Sequence, residues 1–393
     1  MSSSASTGAA GGAGGDKGMP SDTYPAFHPT LPTIVKGMGS VVAAPKIVPV
    51  YFASDDPAIT SAITGLTSQL GASTYWGSTT SEYGVGPATA LPPASFSETP
   101  PPKMDDVDVR AWLTTKLNAN DTGLPAADAD TIYVLVYPAN TAITLQGATT
   151  CKDLGAYHEA GALDAAHANL PIHYAVIPHC TNFNGFGAVD FATIAVAHEL
   201  IETATDPAPD VSSGWSGADE DHLVWPIQSG NEICDFCDTS PASYEKVTGI
   251  DFLVERCWSN KAAIALHDPC VPAAPTLPYF NSAPVLKDTI HYMTLTFPGV
   301  IVPVGATRDV ELDLFSEAKT SGPWTVTAED LAPTFGGAPE LAFTFDRTAG
   351  QNGEKIYVSV TAKKKAASGF SVFVLKSTLG TETNTWVVPV GNQ

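Results

Sequence analysis

Two rhythms of apolar residues succeed one another along this chain of 393 residues, and the change from one to the other divides it. In the longer first part, solid apolar runs alternate with helical spacing. Lys46-Ile-Val-Pro-Val-Tyr-Phe52 reads as a strand. Thr131 to Tyr137 is continuously apolar, as a strand buried on both faces must be. His173 to Pro178 makes a third strand. Asp56 to Leu70 places Ile59, Ile63, Leu66 and Leu70 on one helical face, with Pro57 in the first turn. A polar loop with Tyr75, Trp76, Tyr83 and Gly84 is expected next. Asp105 to Leu117 predicts a second helix, its acids in the first turn where the dipole favours them. Asp190 to Thr205 predicts the clearest helix. Asp190 is its expected N-cap, Ile194, Ala197 and Ile201 form its stripe, and Pro207 and Pro209 stop it. Val211 to Asn231 reads as loop, and Leu253 to Trp258 as a short strand.

After Pro269 and Pro272 the period falls to two. Tyr292–Phe297, Lys355–Thr361, Phe370–Leu375 and Thr385–Val390 alternate, with turn residues between them. That spacing predicts an immunoglobulin-like β-sandwich. The expected organisation is a disordered or extended tether over 1–44, an α/β domain (a mixed sheet with helices, zincin-like) over 45–275, and the sandwich as an accessory domain over 276–393. Residues 1–18 are low-complexity Ser, Gly and Ala and hold no apolar h-region of a signal peptide. A tether of this kind commonly follows an export signal or lipid anchor. A secreted, periplasmic or cell-surface protein is therefore expected, its native leader missing from this chain.

Charge sharpens this picture. The formal charge of −22 argues against nucleic acid, which demands a basic face, and against docking on anionic lipid. No run of 18 apolar residues occurs, so no membrane span is expected. The acidity is local. Residues 276–393 carry 11 acids and 9 bases, whereas the 93 residues between Lys152 and Lys246 hold 15 carboxylates and no Lys or Arg. Crowded carboxylates repel unless protonated or neutralised, so a bound cation is one reading and a solvated acidic surface the other.

The six cysteines, Cys151, Cys180, Cys234, Cys237, Cys257 and Cys270, fall within one 120-residue stretch. Their even number reads as three disulfides of an exported protein. Cys151–Cys180 is the expected first pair, with the other four forming two more. The alternative is a structural zinc site on Cys234 and Cys237, but Cys257 and Cys270 do not form a second C-x-x-C knuckle.

The strongest candidate for chemistry is His198-Glu199-Leu200-Ile201-Glu202. On a helix, residues four apart project from one face, so one imidazole and one carboxylate can reach a single divalent ion. Glu199, one residue on, could touch a water on that ion. A zinc ion lowers the pKa of its water to about 7, and a glutamate can take the proton as general base. This helix resembles the zincin metallopeptidases, with Glu202 where their second His stands. The resemblance implies zinc on His198 and Glu202, Glu199 as catalytic base, and a third ligand from downstream. Glu232 or Asp235 in Gly230-Asn-Glu-Ile-Cys-Asp-Phe-Cys237 could supply that ligand. Asp206 lies two turns beyond His198 on about the same face, and with Asp235 and backbone carbonyls could instead hold calcium. If Glu202 is not a ligand, His158 or His179 must replace it.

The whole run is similar to a set of secreted bacterial proteins of poorly defined function. These share Tyr157-His158, Tyr174-Ala-Val-Ile-Pro178 with Cys180, His198 to Pro207, and Glu232 to Cys237. A looser likeness extends to the plant EXORDIUM-like (phosphate-induced) extracellular proteins. It covers about residues 45–272 and implies a secreted domain, not a reaction. No G-x-S-x-G elbow, P-loop or dinucleotide fingerprint is present. Tyr75, Trp76, Tyr83, Trp215, Trp225 and Trp258 could line a groove or pack inside.

Two functions follow. One is an exported metal-dependent hydrolase acting on a peptide or protein. The other is a non-catalytic secreted protein with a structural calcium site, its sandwich attaching it to a cell-surface or matrix component.

Overall fold

Alternation along three parallel strands places apolar side chains on both faces of one sheet. The strands are β1 (Lys46–Phe52), β4 (Thr131–Tyr137) and β6 (Pro171–Pro178). Short β2 (Thr89–Ala90) and β3 (Ala94–Phe96) both pair with β1, and β5 (Tyr157–Ala162) forms the opposite edge. The order is β2-β1-β4-β6-β5, parallel throughout except for β5 against β6. The computed structural model describes residues 16–121, 123–273, 277–366 and 368–392. They divide into two units, Thr30–Leu277 with Gly380–Asn384, and a second built on Pro278–Leu379 and Thr385–Gln393 that also includes residues up to Pro29.

On one face of the sheet, Val48, Val50, Phe52, Tyr133, Leu135, Tyr137, Tyr174 and Val176 join Val109, Leu113 and Leu117 of α3 (Asp106–Asn118) in a single core. The intervening residues, Ile47, Ile132, Val134, Ala175 and Ile177, are equally buried and must face the other way. There α4 (Ala188–Thr205) lies on β6 and beside α1 (Pro57–Leu70). Asp56 caps α1 by accepting the Ala58 amide, and Asp105 with Asp108 forms a capping box on α3.

Two local expectations are corrected. The helix expected from Asp190 begins at Ala188, after an extended Gly187 with no side-chain cap. Asp190 falls in the first turn, where its charge meets the positive end of the helix. The expected loop around Tyr75 and Trp76 is a helix, α2 (Thr74–Thr80), capped by Ser73. Tyr75, Trp76, Tyr83, Trp225 and Trp258 are all buried, so they pack and do not line a groove. The Tyr75 and Tyr83 hydroxyls donate to the carbonyls of Glu255 and Trp258.

The C-terminal unit is an immunoglobulin-like sandwich. One sheet runs Phe280–Pro284, Thr307–Ser316, Lys355–Ala362, Leu341–Phe345. The other contains Asp288–Tyr292, Leu295–Ile301, Glu382–Gly391, Ser371–Leu379 and Trp324–Asp330. Leu295–Ile301 pairs with Glu382–Gly391 in parallel. The single strand expected over 292–297 is a hairpin, with Tyr292 opposite Leu295 and Met293 at φ 53°. Its two-residue turn holds neither Gly nor Asn, so no turn signal marks it.

The expected tether over 1–44 is extended but not loose where it is described. Its first 15 residues, where disorder was expected, lie outside the described residues. Residues 16–29 group with the sandwich, where Asn352 donates to the carbonyls of Ser21 and Thr23. Ile34–Lys36 pairs with Trp215–Ala218 of the α/β unit.

Candidate metal centre

Helix α4 delivers three groups of the centre. It is buried along most of its length, so its polar side chains sit in an interior setting. His198 and Glu202 project together, with Nε2 2.9 Å from Glu202 Oε2. Glu199 turns toward β5, its Oε2 3.3 Å from Nδ1 of His158. On β5, Tyr157 faces α3 and its hydroxyl donates to Asp106. Strand alternation therefore points His158 at α4.

The fifth and sixth groups, Glu232 and Asp235, come from a loop held by disulfides. Cys234–Cys257 and Cys237–Cys270 anchor it, and Cys151–Cys180 closes the chain on either side of β5. Cys151–Cys180 is the expected first pair, and the other four cysteines form two more bonds as expected, in a pairing the sequence left open. All six sulfurs are taken, so the four-cysteine zinc reading is excluded. Glu202 Oε1 accepts the amides of Cys234 (3.0 Å) and Asp235 (3.3 Å), docking the loop on the helix. Asp235 Oδ2 accepts the amides of Asn231 and Glu232, while Oδ1 lies 3.7 Å from His198 Nε2. Gly230, at φ 140°, is demanded here, because a Cβ would sit 2.1 Å from Asp235 Oδ2. Glu232 Oε1 lies 3.5 Å from His158 Nε2.

Sequence reasoning missed Glu255, which is 2% exposed on a two-residue strand packed against α4. Its Oε2 is 2.8 Å from His198 Nδ1. The signal was an acid two residues before Cys257 in a segment expected to be a strand, so that both share a face. Asp238 was also missed; it lines the cleft below and accepts the Tyr244 hydroxyl.

His198, Glu199, Glu202, Glu232, Asp235 and His158 thus converge. The other two expected candidates behave differently. Asp206 offers its backbone carbonyl, 3.0 Å from His158 Nε2, while its carboxylate accepts from Ser213 and Gly214. His179 makes no ion pair with the group among the described residues. Ligand atoms of His158, Glu202 and Glu232 all lie within 4.8 Å of one another, so this buried group could hold a metal ion. His198, Glu202 and Cys234 also meet that spacing, but the Cys234 sulfur is bonded to Cys257.

Among the described residues, no Lys or Arg pairs with these carboxylates; the counter-charges are two imidazoles. Burial opposes protonation of His158, yet Glu232, Glu199 and Glu202 push it up to about 10. His198 is likewise raised, against burial, by Glu202 and Glu255. Burial pushes Asp235 and Glu255 up to about 7, with Glu202 adding to each. Burial would raise Glu202, but His198 holds it below the ordinary range. Glu232 Oε1 and Glu255 Oε1 are buried with no hydrogen-bond donor among the described residues. Such orphaned acceptors are costly unless a proton or cation meets them.

A cleft of about 340 Å³ opens beside the group. His198, Glu199, Asp235 and Glu255 lie along it, facing a wall that includes the edge-packed pairs Phe183–Phe191 and Phe186–Tyr244.

Fold and site together define a disulfide-bonded chain with a mixed α/β unit, an immunoglobulin-like unit and a buried His/Glu group able to hold a metal. Three disulfides are the mark of an oxidising, extracellular setting. No protein-family model and no curated protein matches the chain. Solved structures similar to part of it carry immunoglobulin-like domains. Domains 4 and 5 of the S-layer protein SbsC match at 18% identity and TM-score 0.18, over 28% of this chain and 46% of that one. A complex of titin M10 with an Obscurin like 1 Ig domain matches at 16% and 0.18, over 30% and 93%. The titin M3 domain matches at 9% and 0.18, over 30% and 98%. The chain thus spans less than half of the S-layer segment it matches.

Proposed function

We propose that the protein is an exported metal-dependent hydrolase, a zinc peptidase of zincin-like pattern acting on peptide or protein substrates. The observation that carries this reading is the setting of His198. Its Nδ1 meets Glu255, and its Nε2 faces Glu202 and Asp235 beside an open cleft. An Nδ1–H on a buried carboxylate fixes the tautomer and leaves Nε2 to a metal, the arrangement common around ligating histidines.

His198 Nε2 has Glu202 Oε2 at 2.9 Å and Asp235 Oδ1 at 3.7 Å, so His198, Glu202 and Asp235 would hold the ion, one imidazole and two carboxylates being ligand types that zinc accepts. A bound zinc ion would supply an acidified water and polarise a carbonyl. The remaining work belongs to the chain. Glu199 lines the cleft and can hold a proton there, while His158 steadies one of its oxygens. The aromatic wall can seat an apolar side chain next to the bond attacked.

Replacing Glu199 by Gln should lower hydrolysis of a peptide library by at least about 100-fold, the usual scale of a general base, while the zinc held at His198 is kept. Equal cleavage by Glu199→Gln and the unaltered protein would refute the catalytic assignment. Bound metal with no cleavage by either would favour a non-catalytic secreted role, with the metal structural.

A further inference from the structure

We propose that Glu202 bridges two cations, and that a second divalent ion is held by His158, Glu232 and the Asp206 carbonyl. This rests on the metal reading above and adds to it a second ion with its own ligands.

The two imidazoles are set up alike. His198 has Nδ1 on Glu255 and Nε2 toward Glu202 and Asp235. His158 has Nδ1 on Glu199, and its Nε2 faces Glu232 and the Asp206 carbonyl at 3.5 and 3.0 Å. In both cases a carboxylate takes Nδ1–H, and Nε2 points into a group of oxygens that can meet a cation. Glu202 belongs to both groups. It touches His198, and one of its oxygens lies within 4.8 Å of the His158 and Glu232 ligand atoms.

Two further observations favour a second ion. Glu232 Oε1, the oxygen facing His158, is a buried acceptor without a donor among the described residues. The side chains of His158 and Glu202 are each 3% exposed, so water does little for this region. The second observation is charge. Glu199, Glu202, Glu232, Asp235 and Glu255 bring five carboxylates together without a Lys or Arg partner among the described residues. A carboxylate shared by two ions is also the geometry that lets a pair of metals act on one reaction centre.

The test is zinc stoichiometry by elemental analysis of the oxidised full chain, loaded with zinc and dialysed. Two ions per chain are expected. Glu232→Gln and His158→Gln should each retain one, His198→Gln should retain one, and Glu202→Gln should retain fewer than any of these. Near-isosteric Gln preserves the volume, and a thermal melt identifies any variant that does not fold. With manganese in place of zinc, the unaltered protein should give the spin-coupled paramagnetic resonance signal of a bridged pair, lost in Glu232→Gln. One ion per chain, unchanged in Glu232→Gln and His158→Gln, overturns the second site but leaves the first. No bound ion overturns both.

Discussion

The imidazole of His198 is controlled by a residue 57 positions away. Glu255 Oε2 accepts from Nδ1 at 2.8 Å, and the same carboxylate is buried with its other oxygen unmatched. A carboxylate in that position orients the ring and makes Nε2 a better donor to metal. Glu255→Gln keeps the shape and an acceptor oxygen but removes the charge. Zinc affinity, measured by chelator competition, should fall by about 10- to 100-fold. An unchanged affinity would mean that Glu255 only packs. His198 and Glu202 were legible in the sequence because helical geometry alone sets them side by side. Glu255 and the partnership of His158 with Glu199 were not, because each arises between elements that touch only after folding.

At the scale of elements, the centre is a helix clamped by a disulfide-bound loop. Helix α4 supplies a row of side chains, and the amides of Cys234 and Asp235 close on Glu202. Pairing Cys237 with Cys270 closes 33 residues of chain. By the loop-entropy argument that bond stabilises the native state by about 3–4 kcal/mol. The Cys237→Ser/Cys270→Ser double variant should unfold at lower denaturant by that margin. It should also bind zinc more weakly, because Glu232 and Asp235 lose their anchor. Unfolding curves and chelator competition check the two separately; unchanged metal affinity would show that Cys234–Cys257 alone holds the loop. The cysteine count announced this clamp, and the C-x-x-C spacing alone could not say that its two sulfurs leave for different partners.

At the scale of the molecule, acidity is concentrated in one unit, and the sandwich carries a nearly balanced charge. The sandwich also captures the N-terminal segment. Asn352, 4% exposed, donates to Ser21 and Thr23 and accepts from Ala26 and Ser316. Asn352→Ala leaves these backbone groups unpaired, and should destabilise the sandwich by about 2–4 kcal/mol. Amide exchange over residues 18–27 should accelerate in step. Protection equal to that of the unaltered protein would show that other contacts hold the segment. Composition predicted a tether here, because Pro and Gly in residues 19–44 report extended backbone and are silent on what that backbone lies against.

Periodicity by itself determined the two fold classes, the unbroken apolar core strands and the i, i+4 pair on α4, because each depends on neighbours within a few residues. The distribution of charge along the chain likewise showed that carboxylates crowd one Lys- and Arg-free window. Only the tertiary structure decided which carboxylates meet. Sheet pairing turned His158 toward α4, a disulfide brought Glu255 beneath His198, and the C-terminal turn of the helix gave the Asp206 carbonyl to His158 while its carboxylate went to Ser213 and Gly214. Those contacts join residues tens of positions apart, and their geometry is set by packing across elements, which no local pattern encodes.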